Sequence, residues 1–190
     1  EAGEASAGTR PASGGVREGA AGGTGAEVDR AGTAARSAVE APAGAGVTAT
    51  RRGHRLRRRA DLGGEHADEL ALLESLDNGK LLREMRGQMR TLPEYFYYYA
   101  GLAAKVQGAQ IPASNPAILN YTPREPLGAV GAITPRNSPP PLTTSQLAPA
   151  LAAGHTAVIQ PSAPPSPTLL RLAPLPAADA PDPAPTAVPP

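Results

Sequence analysis

Gly128 to Ser162 reads GAVGAITPRNSPPPLTTSQLAPALAAGHTAVIQPS, and this stretch decides the fold. Ala129 to Thr134 is a short apolar run without polar alternation, the pattern of a parallel strand covered on both faces. Pro135 ends it, because proline has no N–H to give to a central ladder. Leu142 to Ala153 is compatible with a helix rich in small residues, and Gly154 stands where a C-terminal stop is expected. Thr156 to Gln160 makes a second short strand, closed by Pro161. Strand, helix and strand in this order predict a right-handed crossover between two parallel strands. Ligands of open α/β sheets sit beyond the carboxyl ends of the strands. Thr134 to Asn137 and Gln160 to Ala163 therefore form the candidate site.

The same residues resemble the start of the nucleotide-binding domain of the aldehyde dehydrogenase superfamily. GAITPRNSP followed by LAPALAAGHTAVIQPS is similar to that family's strand ending in P-W-N-x-P, its helix containing L-A-P-A-L-A-A-G-N and its strand ending in K-P-S-E. The likeness runs back through SNPAILNYTPREPLG, TLPEYFYYYAGLA and EHADELALLESLDNGK to roughly Pro11. The fold it implies is a partial α/β one. N-terminal helices precede the first β-α-β of a Rossmann-type nucleotide-binding domain, with disordered ends.

Enzymes of this family oxidise an aldehyde through a thioester on a cysteine and pass hydride to NAD or NADP. A glutamate then helps hydrolyse the acyl-enzyme. On matching positions the resemblance implies a catalytic role for Asn137, whose amide would hold the oxyanion; such a donor is worth about 100- to 1000-fold in rate. It implies that Ile133, Thr134 and Pro135 line the nicotinamide–ribose side of the cofactor, with Arg136, Gln160 and Ser162 alongside. The chain departs from the pattern at several of these places. Arg136 replaces a tryptophan, Gln160 a ribose-binding lysine and Ala163 a glutamate, and Ser145 and Gln146 replace a W-K pair. The family's Gly-x-Thr-x-x-Gly loop, glutamate base and cysteine come after the segment matched by Pro190. Ser138 and Ser162 have no histidine near them in sequence to act as base. The expectation is an aldehyde dehydrogenase fragment that is inactive alone and holds its cofactor weakly. Its departures replace leucine, tryptophan and glutamate without regard to burial, as in a decaying or mis-read sequence.

Composition points the same way. The chain has 190 residues, enough for one ordinary domain, with 21 glycines, 23 prolines and only five tyrosines and one phenylalanine as aromatics. Glu1 to Gly25 reads as a disordered segment, 26–162 as the incomplete nucleotide-binding domain, and 163–190 as a Pro/Ala-rich degenerate tail. A net charge of +1 recruits neither nucleic acid nor anionic membrane. No apolar run approaches the roughly 20 residues that span a bilayer, and no signal segment opens the chain, so a cytoplasmic location is expected. The absence of cysteine excludes disulfides, thiolate metal sites and a cysteine nucleophile within these residues. His54, His66 and His155 share no ligand-type spacing, and no metal site is expected.

Along the chain, PASGG at Pro11 to Gly15 predicts a turn and Ala26 to Ala41 a helix weakened by Gly32. Arg51 to Arg59, RRGHRLRRR, opens a further helix. In similar family members leucines stand at the positions of Arg55 and Arg59, one turn apart on the buried stripe, where a charge must snorkel or unfold the helix, and Gly63 and Gly64 interrupt it. Glu65 to Asn78 predicts a helix with a Leu70, Leu73, Leu76 stripe and a stop at Asn78-Gly79. Met85, Met89, Leu92, Phe96, Tyr99 and Ala103 repeat at helical spacing as a core stripe. Pro93 within the run predicts two abutting helices, ended by Gly108. Ala117 to Arg124 predicts an edge strand demoted by Pro123; in the family this region belongs to a hairpin used in subunit assembly, which implies a homo-oligomer. Pro174 and Pro176 leave no useful helix near the end, and a two-strand sheet is the expected result. The competing reading is a non-catalytic interaction module, using the Arg51 to Arg59 run on nucleic acid or the Pro-rich tail in an aromatic groove.

Overall fold

The computed structural model describes residues 47–161 and 166–172, and the backbone of 186–187. The turn expected at Pro11 to Gly15, the helix expected over Ala26 to Ala41 and Ser162 lie outside the described residues.

The first helix, α1 (Ala49–Glu65), starts at Thr48, whose side-chain oxygen accepts from the Arg51 N–H at 3.3 Å. It passes through Gly63 and Gly64 without a break. Each glycine weakens a helix by about 1 kcal/mol relative to alanine, whereas burying one leucine gains about 1.5–3 kcal/mol. Leu56, Ala60 and Leu62 are all buried on this helix, so packing overrides propensity. At Gly53 α1 comes close to the long helix beside it. A β-carbon there would lie 2.9 Å from the carbonyl oxygen of Ala100.

Beyond His66, α2 (Ala67–Asn78) buries Ala67, Leu70, Ala71 and Glu74. The expected leucine stripe is corrected: Leu73 is half-buried and Leu76 is 75% exposed. Two successive steps of three residues rotate a position by about 120° away from its starting face, which carries Leu76 off the face that Leu70 occupies. The next correction is α3 (Leu82–Leu102), one helix with Pro93 inside it rather than two. Pro93 removes one N–H and disfavours the helix by about 3 kcal/mol. The continuous buried stripe of Met85, Met89, Leu92, Phe96 and Ala100 outweighs that.

Two strands follow, β1 (Ala109–Ile111) and β2 (Asn120–Thr122), paired antiparallel with Ala109 opposite Thr122. The strand expected over 117–124 is thus only three residues long and belongs to a separate two-stranded sheet, fully exposed, ending at Pro123. The main sheet holds β3 (Ala129–Thr134) and β4 (Thr156–Pro161), parallel and joined by α4 (Pro139–Ala153). Ala129 stands opposite Thr156 and Thr134 opposite Pro161. α4 ends at Gly154, as its sequence predicts.

A third strand corrects the expectation of two. β5 (Thr186–Ala187) pairs parallel with β4, putting β4 in the middle. A short helix, α5 (Pro167–Leu172), precedes it and opens on a proline, whose missing N–H is no loss at that position. The Pro/Ala-rich tail over 163–190, read as degenerate, therefore contributes a short helix and a strand; Pro174 and Pro176 themselves fall outside the described residues. The sheet and helices share one core in which Leu56, Phe96, Ala132, Leu147, Leu151, Ile159 and Leu169 are buried. A second core lies between α2 and α3, around Leu70, Met85, Met89 and Leu92.

Candidate functional site

The β3–α4 connection holds four of the seven residues predicted for the site. Thr134 closes β3 and is buried, its hydroxyl without a protein partner. Pro135, Arg136 and Asn137 are exposed in the turn that follows. Across the sheet, Ile133 lies in register with Gln160. Ile133 is 69% exposed, and the half-buried Gln160 donates from Nε2 to the carbonyl of Pro161 at 3.4 Å. The crossover thus gathers Ile133, Thr134 and Gln160 at the carboxyl edge of two adjacent strands, with Asn137 on the loop leading away. Ser162 is outside the described residues.

One feature of β3 differs from expectation. Its burial alternates: Ala132 and Thr134 are buried, whereas Ala129, Gly131 and Ile133 are exposed. A strand covered on both faces would bury them all. The helices described here cover one face only, so a run that is apolar throughout keeps one side open.

Arg136 turns to the end of α2. Its guanidinium donates to the carbonyl oxygen of Asp77 at 3.2 Å and stands 3.9 Å from the Asp77 carboxylate. Lys80 comes from the same region, and its Nζ donates to Ser138 Oγ at 2.6 Å. Ser138 Oγ in turn donates to the carbonyl oxygen of Asn137 at 2.7 Å. Gly79, at φ +76°, makes the reversal that brings Lys80 back towards the sheet; a side chain there would be strained. Behind it, the Lys80 N–H donates to Asn78 Oδ1 at 2.9 Å, and Asn78 Nδ2 donates to Glu74 Oε1 at 2.6 Å. Glu74 is fully buried, and burial pushes its carboxyl above the usual range against the hydrogen bond from Asn78. Sequence reasoning took Asn78-Gly79 as a helix stop alone. The available signal was a lysine directly after the reversal, where a chain leaving a helix can aim a cation at its neighbour.

The basic run is partly committed to the fold. Arg52 donates from Nε to the Ala152 carbonyl at 2.9 Å, satisfying an orphan group in the last turn of α4, and from Nη1 to the Val47 carbonyl at 2.7 Å. Arg59 neither snorkels nor unfolds α1. It is 7% exposed, and burial first, then the charge of Arg55, depresses its guanidinium to about 10. His155 Nδ1 accepts from the Leu127 N–H at 3.0 Å, which staples the loop before β3.

This architecture is matched by known proteins. The model of the aldehyde dehydrogenase family matches residues 2–188. The chain belongs to the aldehyde dehydrogenase family. It is 43% identical over 136 residues to (Z)-2-((N-methylformamido)methylene)-5-hydroxybutyrolactone dehydrogenase of Acinetobacter baylyi, covering 72% of this chain and 28% of that protein. Among solved structures it is similar to NAD-dependent aldehyde dehydrogenase from Sinorhizobium meliloti, with TM-score 0.78 and 32% identity over 85% of this chain and 33% of that one. It is also similar to betaine aldehyde dehydrogenase from Staphylococcus aureus, solved in complex with NAD+, with TM-score 0.75 and 37% identity over 84% of this chain and 32% of that one. The chain therefore spans about a third of the length of these family members. No helix among the described residues is long and apolar enough to cross a membrane.

Proposed function

We propose that these 190 residues carry the first crossover of an NAD(P)-binding domain and the oxyanion-holding turn of an aldehyde-oxidising enzyme, and that alone they do not oxidise aldehydes. The observation that carries the reading is the parallel β3–α4–β4 unit, which sets Ile133 and Gln160 side by side and puts Asn137 in the exposed turn next to them.

The residues present fit part of a dinucleotide. Ile133 offers an exposed apolar surface for a nicotinamide ribose, and Gln160 lies in register beside it, while the buried Thr134 follows Ile133 at the end of the strand. The bound cofactor would supply a hydride acceptor. No cation is aimed at the strand ends by the predicted site residues, because Arg136 is held on Asp77. The prolines at 139, 140 and 141 also remove the N–H groups with which a helix start ordinarily binds an anion. Affinity for the pyrophosphate is correspondingly weak in these residues. On the family resemblance, Asn137 Nδ2 would be the donor to an oxyanion. No cysteine exists here to form the acyl intermediate. The wholly exposed β1–β2 hairpin is offered for pairing with another subunit.

The test is direct. The purified chain is assayed for NADH formation from short aliphatic and betaine-type aldehydes, and titrated with NAD while amide resonances of Ile133, Thr134 and Gln160 are followed. Shifts at those three without NADH formation are expected. Turnover above a buffer blank, or shifts scattered away from the strand ends, removes the reading. The interaction-module alternative gains nothing from the geometry, since Arg52 and Arg59 serve the fold.

A further inference from the structure

We infer that Lys80 is a positioning residue for Asn137, acting through the Ser138 hydroxyl. The inference rests on the reading of Asn137 as an oxyanion donor.

Ser138 is the N-cap of α4, where a serine ordinarily accepts from the N–H of the second or third helical residue. Here those residues are Pro140 and Pro141, which have no N–H, and Ser138 makes no capping bond. Its hydroxyl is thereby released for another use. It accepts from the Lys80 ammonium at 2.6 Å and donates to the Asn137 carbonyl at 2.7 Å. One hydroxyl makes both bonds, because a hydroxyl has one proton to give and lone pairs to receive. A charge-assisted donor on its oxygen also polarises its proton towards the carbonyl.

The relay has a fixed foundation. Lys80 is tied through its own N–H to Asn78, and Asn78 to the fully buried Glu74. On the other side of the turn, Arg136 is held by Asp77. The exposed turn is therefore gripped at two points by residues 77–80, which stand more than fifty positions earlier in the chain. An oxyanion donor is effective only when held in place before the reaction. Asn137 is exposed in the turn, and the contacts with residues 77–80 tie that turn to the rest of the fold.

The test uses the full chain, labelled with nitrogen-15. Backbone order parameters of Asn137 and Ser138 are measured in the parent, Lys80→Met, Ser138→Ala, the double variant and Lys80→Arg. A drop from about 0.85 to below about 0.6 is expected in each single variant. The double variant should fall no further, because both changes cut one path, and Lys80→Arg should recover much of the order through its guanidinium. Leu147 and Leu151 in α4 serve as internal controls and should keep their values. Unchanged order at Asn137, or a loss shared equally by Leu147 and Leu151, overturns the inference. Ser138→Ala removes only a half-exposed hydroxyl, so it stands as the readout should Lys80→Met fail to fold. The NAD titration of the parent chain reports separately: absent shifts at Ile133 and Thr134 remove the functional reading while leaving the relay intact.

Discussion

The two faces of β3 carry the same kind of residue and meet opposite surroundings. On one, Ala132 joins a core with Leu147, Leu151, Phe96 and Leu169. On the other, Ile133 is 69% exposed between exposed neighbours. Apolar run and strand geometry are identical for both, so the difference comes from which neighbours the described residues supply. Parallel strands are ordinarily covered on both faces. The closed face accordingly holds most of what stabilises this unit, and the open face is where the candidate site lies.

The largest test of that contrast is Phe96→Ala. Phe96 is 3% exposed in the core shared by helices and sheet. Its loss should destabilise by about 3–5 kcal/mol, read as a lower urea midpoint with an unchanged slope. A shift below about 1 kcal/mol means that the sheet and helices do not share a core, and the contrast fails.

Arg59→Leu sharpens the contrast through pH. A guanidinium 7% exposed and depressed to about 10 is held in its charged form against burial. Leucine at this position removes the titrating group, so the variant is read by its pH dependence against the parent's. The pH dependence follows from the direction of the shift. With the folded value below the unfolded one, the unfolded chain binds the extra proton between the two. The parent therefore regains stability only as pH rises above about 10, and the variant shows no such rise.

Glu74 gives a smaller effect of the other polarity. Burial raises its carboxyl, so the folded chain holds the proton more tightly than the unfolded one. The stabilisation is complete below the unfolded carboxyl range and is lost as pH rises through the folded value. Glu74→Gln keeps an oxygen for Asn78 and removes the titration. Urea midpoints measured from acid to neutral pH should fall in the parent and stay flatter in the variant. Parallel curves for the two chains would mean that Glu74 is not the group responsible.

Much of the crossover was legible because its punctuation is local. Pro135, Gly154 and Pro161 mark ends that depend only on φ and missing donors, and the strands and helix stop where those residues say. Misreadings arose where tertiary contacts decided. Pro93 and the Gly63-Gly64 pair look like breaks until α1 and α3 pack along each other, and Leu76 looks buried until helix rotation is followed past Leu73. The candidate site divides in the same way. Thr134, Asn137 and Gln160 are named from strand ends, and Ile133 from the family resemblance. Lys80 reaches Ser138 across 58 positions, through a reversal at Gly79 and three consecutive prolines, and no local period records that.

The smallest expected effect is also the most telling about the open face. Ile133→Ser removes a branched apolar side chain near the carboxyl end of β3, a change that on a covered strand would leave a cavity and a buried hydroxyl. Here the side chain is already mostly in water, so stability should move by no more than about 0.5 kcal/mol. Ligand response should move much more. If Ile133 forms the apolar wall for the nicotinamide ribose, the amide shifts of Thr134 and Gln160 on adding NAD should shrink in the variant while its urea curve overlays the parent's. A loss of several kcal/mol would show that the second face of β3 is covered after all. An unchanged NAD response would place the cofactor surface somewhere other than this strand edge.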